Sequence, residues 1–253
     1  MTIPFDFKSR FFFNQCLNPK AFLIILGLLG VAFSGKAFAI GTDDDFQNWS
    51  VVTYTGEVKR LQLYGETQSR VVLAGPVGPH MQYLLVRGYL GYRINKHLSV
   101  AQGMAWVQSF QPQLWTESRP FQQVLLEGKL KRLKITNRFR VEERFIRGVN
   151  GVGIRLRDEV RLIYPLGKSD KWSLVAFDEV FCNMNNFSGA SSDYTRYPQR
   201  GIDQNRLFVG VSRKLNNHMA ATAGYMLRNN NIENSGIPVA RNHILLLTLA
   251  FTK

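Results

Sequence analysis

From Trp49 onward, polar and apolar residues alternate within stretches of about ten residues, and turn-forming residues separate the stretches. The clearest stretch is Val152–Leu162. One of its faces would carry Ile154, Leu156, Val160 and Leu162, and the other would carry Arg155, Arg157, Glu159 and Arg161. Successive side chains of a strand point to opposite faces, whereas a helix would scatter these four charges around its circumference. The alternation therefore predicts an all-β chain.

The preceding segment repeats this alternation and predicts a hairpin partner. Its charged face carries Arg138, Arg140, Glu142 and Arg144. Asn150-Gly151, between the two segments, is a strong signal for a hairpin turn. The two strands are thus expected to be antiparallel neighbours, with arginine and glutamate within cross-strand reach. We call their eight charged residues the charge ladder: Arg138, Arg140, Glu142, Arg144, Arg155, Arg157, Glu159 and Arg161.

Nine further segments show a similar pattern with less purity: Trp49–Glu57, Leu61–Arg70, Met81–Ile94, Leu98–Phe110, Phe121–Leu130, Trp172–Asn183, Asn205–Leu215, Met219–Arg228 and His243–Thr252. With the hairpin this makes eleven. Closed single-chain bacterial barrels have an even number of antiparallel strands, so the sequence predicts twelve strands, or ten.

The first 39 residues have the features of a cleavable signal peptide. Basic residues precede the apolar run Ala21–Phe33, and Ala37-Phe38-Ala39 fits the small-x-small rule, so cleavage is expected between Ala39 and Ile40. An uncleaved N-terminal anchor is the alternative. The predicted organisation is a signal peptide over residues 1–39 and one barrel over residues 40–253.

Several features favour a transmembrane barrel in the outer membrane of a Gram-negative bacterium. Short connections alternate with long polar ones such as Gln111–Pro120 and Asn183–Ile202. Aromatic residues, among them Trp49, lie near strand ends, where interfacial belts form. Because charges on a lipid face are costly, the charge ladder should face inward. Glu143 and Asp158 fall on the apolar face, which would place them at the membrane boundary or beside a bulge.

Several short runs of the mature chain form a recognisable set: Trp49, Gly65, Glu66, Gln68, Arg70, the run Arg138–Phe145, Arg155–Arg157, Asp203–Arg206 and the final leucine-rich strand. In these runs the chain resembles an uncharacterised family of small proteobacterial outer-membrane proteins, defined only as a domain of unknown function. The resemblance covers essentially the whole mature chain. It implies location and architecture, and it supplies no catalytic residues.

Charge narrows the set of partners. The formal net charge is +14, and it falls to +11 without the leader, which holds four of the 32 basic and one of the 18 acidic residues. Because arginine alternates with glutamate inside strands and the chain is exported, a nucleic-acid partner is not expected. The expected partners are outer-membrane lipids, lipopolysaccharide and the barrel-insertion machinery, and the barrel is expected to be a monomer.

The interior then suggests two functions. The ladder could close the lumen with ion pairs, in which Glu66, Glu127 and Glu179 supply further acids, so that the protein is structural. Alternatively, its excess arginine could line a narrow, passive, anion-favouring pore. The alternatives are an enzyme acting on envelope lipids and a soluble exported ligand-binding barrel. No catalytic, cofactor-binding or metal-binding residues are predicted, because the four histidines, His80, His97, His218 and His243, show no ligand spacing.

Overall fold

The computed structural model describes residues 44–76, 78–111, 114–167, 169–186, 200–230 and 240–253. The predicted leader and its cleavage site at Ala39 and Ile40 lie outside these residues. In the described residues no helix is long and apolar enough to cross a membrane. The elements are eleven strands: β1 (Asp45–Val58), β2 (Leu61–Ala74), β3 (His80–Arg93), β4 (Leu98–Ser109), β5 (Trp115–Leu130), β6 (Leu133–Ile146), β7 (Gly153–Leu166), β8 (Trp172–Asn183), β9 (Gly201–Lys214), β10 (Met219–Asn230) and β11 (Ala240–Thr252).

The strands form one closed barrel in chain order. Each consecutive pair is antiparallel, and the barrel closes through a parallel pairing of β1 with β11, in register from Asp45 opposite Asn242 to Thr55 opposite Thr252. The predicted total of twelve or ten strands is wrong. Every one of the eleven segments found in the sequence is a strand, and an even number is required only when the closing pair is also antiparallel.

The connections divide the barrel into two different ends. Five short connections meet at one end, the short-turn rim: residues 59–60, 94–97, 131–132, 167–171 and 215–218. Five longer ones meet at the other, the long-loop rim: residues 75–79, 110–114, 147–152, 184–200 and 231–239. Because the strand number is odd, β1 begins at the long-loop rim and β11 ends at the short-turn rim.

β5 begins earlier than the sequence suggested. The predicted loop Gln111–Pro120 overlaps β5, which starts at Trp115. Pro120 lacks the N–H that a ladder requires, and it lies where the β5–β6 pairing skips from Ser118 to Phe121. Proline therefore interrupts the ladder on one side of β5 without ending the strand.

The barrel wall separates two chemical environments. The outer face of every strand exposes large apolar side chains, such as Leu63, Leu90 and Val209. The inner face carries most of the buried polar residues together with large buried apolar ones, among them Phe121 and Phe208. Trp49, expected near an outer belt, instead lies inside the barrel with 1% of its surface accessible.

Glycine makes room for these internal rings. A methyl group on Gly103 would overlap Cζ of Phe121 and would lie 2.6 Å from the carbonyl oxygen of Gly88. A methyl group on Gly224 would similarly meet Phe208 and the backbone of Gly210 at 2.5–2.6 Å. Each phenylalanine ring thus packs directly against a strand that has no side chain at that position.

Candidate functional site: the charged interior

β6 and β7 carry the charge ladder on their inner faces. The two strands pair with Arg138 opposite Glu159, Arg140 opposite Arg157 and Glu142 opposite Arg155. Of the eight ladder residues, Arg138 and Arg161 are partly exposed, and the other six are buried. Alternation along both strands and their register bring all eight to the same stretch of the interior.

Glu142 is the centre of the ladder. Its carboxylate accepts hydrogen bonds from Arg155 Nε at 3.0 Å and Arg157 Nη1 at 2.5 Å, and Arg140 Nη1 lies 3.5 Å away. The residue is 1% exposed. Three guanidiniums therefore share one fully buried carboxylate, a geometry that the planar, multidonor arginine fork permits.

A second carboxylate centre lies on β8. Glu179 accepts hydrogen bonds from Arg157 Nη2 at 2.6 Å and Arg138 Nη2 at 2.9 Å, and Arg206 of β9 approaches it at 3.5 Å. Arg138 also reaches Glu159 at 2.6 Å. Since Arg157 bonds to both Glu142 and Glu179, the two centres form one continuous network across β6–β9.

The other acids considered in the sequence lie elsewhere. Glu66 pairs with Arg87 at 2.5 Å inside the barrel. Glu127 lies at the short-turn rim, where it contacts Arg93 and Lys134. These two glutamates neutralise local partners, so the ladder depends on Glu179 for additional negative charge.

One buried carboxylate escaped the sequence analysis. Glu117 accepts hydrogen bonds from Arg119 and Arg144, each with a shortest distance of 2.6 Å. It was missed because it fell within the predicted loop that Pro120 seemed to terminate. The alternation Glu117-x-Arg119-x-Phe121 is the signal that could have placed it on an inner strand face.

Three arginines surround Trp49. The guanidinium carbons of Arg70, Arg206 and Arg228 lie 3.7, 5.0 and 5.2 Å from its ring centroids. Within the described residues, neither Arg70 nor Arg228 forms an ion pair; Arg228 donates instead to the amide oxygen of Asn242 at 2.7 Å. The face of the indole ring thus stabilises the positive charge of Arg70 and Arg228, which have no carboxylate as an ion-pair partner in the described residues.

The described interior carries more positive than negative charge. Between the rims, eleven arginines face five glutamates, and Asp45 and Asp203 add two carboxylates towards the long-loop rim, which leaves an excess of four positive charges. The arginines are Arg70, Arg87, Arg119, Arg138, Arg140, Arg144, Arg155, Arg157, Arg161, Arg206 and Arg228, and the glutamates are Glu66, Glu117, Glu142, Glu159 and Glu179. Aromatic faces share in stabilising this excess, since Arg140 lies 4.2 Å from Phe121 and Arg157 lies 4.5 Å from Phe181.

Side chains fill the middle of the barrel. Two residues of the charge ladder and six large apolar residues each have less than 2% of their surface exposed there: Trp49, Phe121, Arg140, Glu142, Phe181, Phe208, Met226 and Ile244. These residues come from β1, β5, β6, β8, β9, β10 and β11, whereas the neighbouring strands β2–β4 contribute none. On these seven strands the interior is packed, and water does not reach these side chains.

Two polar pairs interrupt the apolar outer face. No register shift occurs between β6 and β7, so Asp158 lies on the outer face of β7, where Asn137 donates to it at 2.6 Å. Asp178 on β8 accepts a hydrogen bond from Asn205 on β9 at 2.5 Å. The predicted bulge beside Asp158 is therefore absent, and each carboxylate is partnered by an amide on a neighbouring strand.

The histidines lie apart from one another. His97 contacts the carbonyl oxygen of Glu127 at 2.8 Å, His218 that of Thr252 at 3.0 Å, and His243 the hydroxyl of Tyr225 at 2.6 Å. Within the described ranges, no group of three or more His, Cys, Asp or Glu residues could hold a metal ion.

Comparison with known proteins identifies a family of unknown function. Residues 46–236 match the model of a family described as "Protein of unknown function (DUF2490)". An uncharacterised protein of Methylorubrum extorquens is 27% identical over 233 residues, which cover 90% of this chain and 96% of that protein. No solved structure matches the chain.

Proposed function

This chain belongs to the DUF2490 family of unknown function, and from its geometry we propose that it is an outer-membrane β-barrel whose lumen its own side chains close, with a structural role in the envelope. The observation that carries the closed lumen is the layer of fully buried residues around Arg140, Glu142 and Phe121. Side chains just fill the interior of a barrel of about eight strands, whereas porins of about 16–18 strands leave an aqueous channel, and eleven strands lie between the two. In this barrel, large arginine and aromatic side chains occupy the additional width.

The outer face supports placement in a membrane. The strands have 12–16 residues, and about 9–11 residues suffice for a tilted strand to span a bilayer. Exposed aromatic side chains lie towards both rims: Tyr54, Tyr92, Tyr164 and Trp172 towards the short-turn rim, and Phe46, Trp106 and Phe145 towards the long-loop rim. Such belts are typical of membrane–water interfaces.

The remaining parts of the proposal concern biogenesis and partners. The leader would be cleaved between Ala39 and Ile40, and the barrel-insertion machinery would place the chain in the outer membrane. The barrel would act as a monomer and without catalysis, in contact with envelope lipids. Short turns would face the periplasm and long loops the exterior, as in other outer-membrane barrels.

Planar-bilayer recording tests the closed lumen. The mature chain is refolded into vesicles, its β-structure is checked by circular dichroism, and the vesicles are fused with the bilayer. The proposal predicts a baseline without conductance steps. Reproducible single-channel steps in the wild-type protein would contradict it.

A narrow anion pore is the second candidate, favoured by the excess of positive charge in the interior. It predicts steps whose reversal potential shifts towards that of chloride in a salt gradient. The other two alternatives make separate predictions. Release from cells without detergent would favour a soluble ligand-binding barrel, and altered lipid A or phospholipids in a deletion strain would favour an enzyme.

A further inference from the structure

Basic residues are concentrated at the short-turn rim. Among the described residues, the short connections contain Lys59, Arg60, Lys96, Lys131, Arg132 and Lys171, whereas the long connections contain Arg147 and Arg200. The last residues of the strands add exposed cations at the same rim, among them Lys129, Arg213 and Lys214. The described acids at this rim, Glu57, Glu127 and Asp170, offset only part of its positive charge.

The densest part of this rim lies where β8 begins and β9 ends. Trp172 is directly opposite Arg213, whose guanidinium carbon lies 5.1 Å from the indole ring. The backbone N–H of Lys214 donates to the carbonyl oxygen of Lys171 at 2.8 Å, which fixes the two strand ends side by side. Lys171, Arg213 and Lys214 are all exposed. Arg213 therefore lies beside one outward-facing tryptophan, and two further exposed cations, Lys171 and Lys214, flank this pair at the adjoining strand ends.

This cluster borders the apolar outer wall. Trp172 is 46% exposed, and the next outward pair along β8 and β9 is Leu174 opposite Val211, both of which are also exposed. Moving along the wall towards the rim, hydrocarbon-like side chains give way to an indole and then to ammonium and guanidinium groups. The layers of a phospholipid leaflet follow the same order, from the acyl chains through the interfacial region to the headgroups.

We infer that the pair of Arg213 and Trp172, with Lys171 and Lys214 exposed at the adjoining strand ends, forms a binding site for the phosphate groups of anionic phospholipids. The inference rests on the proposed membrane insertion and adds a ligand class to it. Arginine donates bidentate hydrogen bonds to phosphate, and lysine adds a mobile point charge. Lipopolysaccharide, which was expected to attract the surplus charge, would face the opposite, less basic rim under the proposed orientation.

Tryptophan fluorescence in vesicles tests this site. Two variants each leave one outward tryptophan: Trp106→Phe leaves Trp172 near the short-turn rim, and Trp172→Phe leaves Trp106 towards the long-loop rim. Each is refolded into phosphatidylcholine vesicles that contain a minor fraction of either brominated phosphatidylglycerol or brominated phosphatidylcholine. Bromine quenches only a tryptophan that its lipid contacts.

Brominated phosphatidylglycerol should occupy the position beside Trp172 about five times more readily than brominated phosphatidylcholine does. This is the preference expected from one cation near an anionic lipid. Adding Lys171→Gln, Arg213→Gln and Lys214→Gln should abolish the preference. Adding Arg147→Gln and Arg200→Gln, at the opposite rim, should preserve it. Trp106 should show no such preference, and its quenching by either lipid reports that a variant has inserted.

The outcomes separate the two proposals. Insertion with equal quenching of Trp172 by both lipids, or a preference that survives the triple substitution, would overturn the lipid site alone. Failure of the wild-type chain to insert would overturn the membrane proposal and the lipid site with it.

Discussion

The guanidinium carbon of Arg70 lies 3.7 Å from the indole ring of Trp49, in the interior of the barrel. Arg70 also bonds to the amide oxygen of Gln68 at 3.0 Å, and its buried Nε has no hydrogen-bond partner. This arginine therefore contributes charge to the interior without a carboxylate to offset its desolvation.

Replacing the charged side chain of Arg70 should change the stability of the barrel only slightly. Arg70→Met keeps most of the side-chain volume and removes an incompletely satisfied buried cation, while it loses a cation–π contact. These effects oppose each other, so the free energy of unfolding should change by less than about 1 kcal/mol. Urea titration of the refolded barrel in vesicles measures it. A loss several times larger would show that the Arg70 charge is essential to the fold.

Removing the central carboxylate should be much more damaging. Glu142→Gln leaves Arg140 and Arg155 without the anion they share, and Arg157 retains only Glu179. Breaking a buried ion pair by deleting one partner costs about 3–5 kcal/mol. Glu127→Gln, at the short-turn rim, is the matched control and should cost no more than about 1 kcal/mol. Equal effects of the two substitutions in the same urea titration would argue against a buried network.

Gly103 provides a test of the packing inside the barrel. Gly103→Ala places a methyl group against both the Phe121 ring and the Gly88 carbonyl oxygen, so backbone must move, and overpacking of this kind costs about 1–3 kcal/mol. Gly65→Ala is the control, because a methyl group there meets nothing within 4 Å. If Gly103→Ala unfolds at the same urea concentration as the wild type, Phe121 does not pack as described.

The odd strand number has a topological consequence in a membrane. The start of β1 and the end of β11 lie at opposite rims, so tags at the two ends should lie on opposite sides of the outer membrane. In intact cells, antibody should label a tag inserted just before Asp45 and should label a tag after Lys253 only once the cells are permeabilised. Labelling of both tags, or of neither, in intact cells would contradict the parallel closure of the barrel.

Strand positions could be predicted from the sequence because period-two alternation marks each strand independently of its neighbours. The eleven segments and the β6–β7 hairpin were found in this way. The manner of closure was not, since nothing within β1 or β11 indicates that the two run parallel. The eleven segments were then adjusted to twelve or ten strands because bacterial barrels usually have an even number, and this adjustment was wrong.

The site was predicted only in part for a similar reason. Arg138–Arg144 and Arg155–Arg161 are conspicuous because both strands alternate cleanly. Glu117 was missed because Pro120, three residues later, suggested that the segment is a loop. The inward position of Trp49 and its contacts with Arg206 and Arg228 depend on strands far apart in sequence, whose proximity follows only from closure.

If the barrel is inserted as proposed, the two faces of each strand meet different surroundings, hydrocarbon outside and a filled interior inside. Spin labels on single cysteines placed along β7, in a Cys182→Ala background, measure this difference in vesicles. Labels at Leu156, Val160 and Leu162 should be accessible to oxygen but not to a polar nickel chelate, and labels at Arg155, Arg157 and Glu159 should be poorly accessible to both. Accessibility to the nickel chelate on both faces, or accessibility without a period of two, would contradict the account.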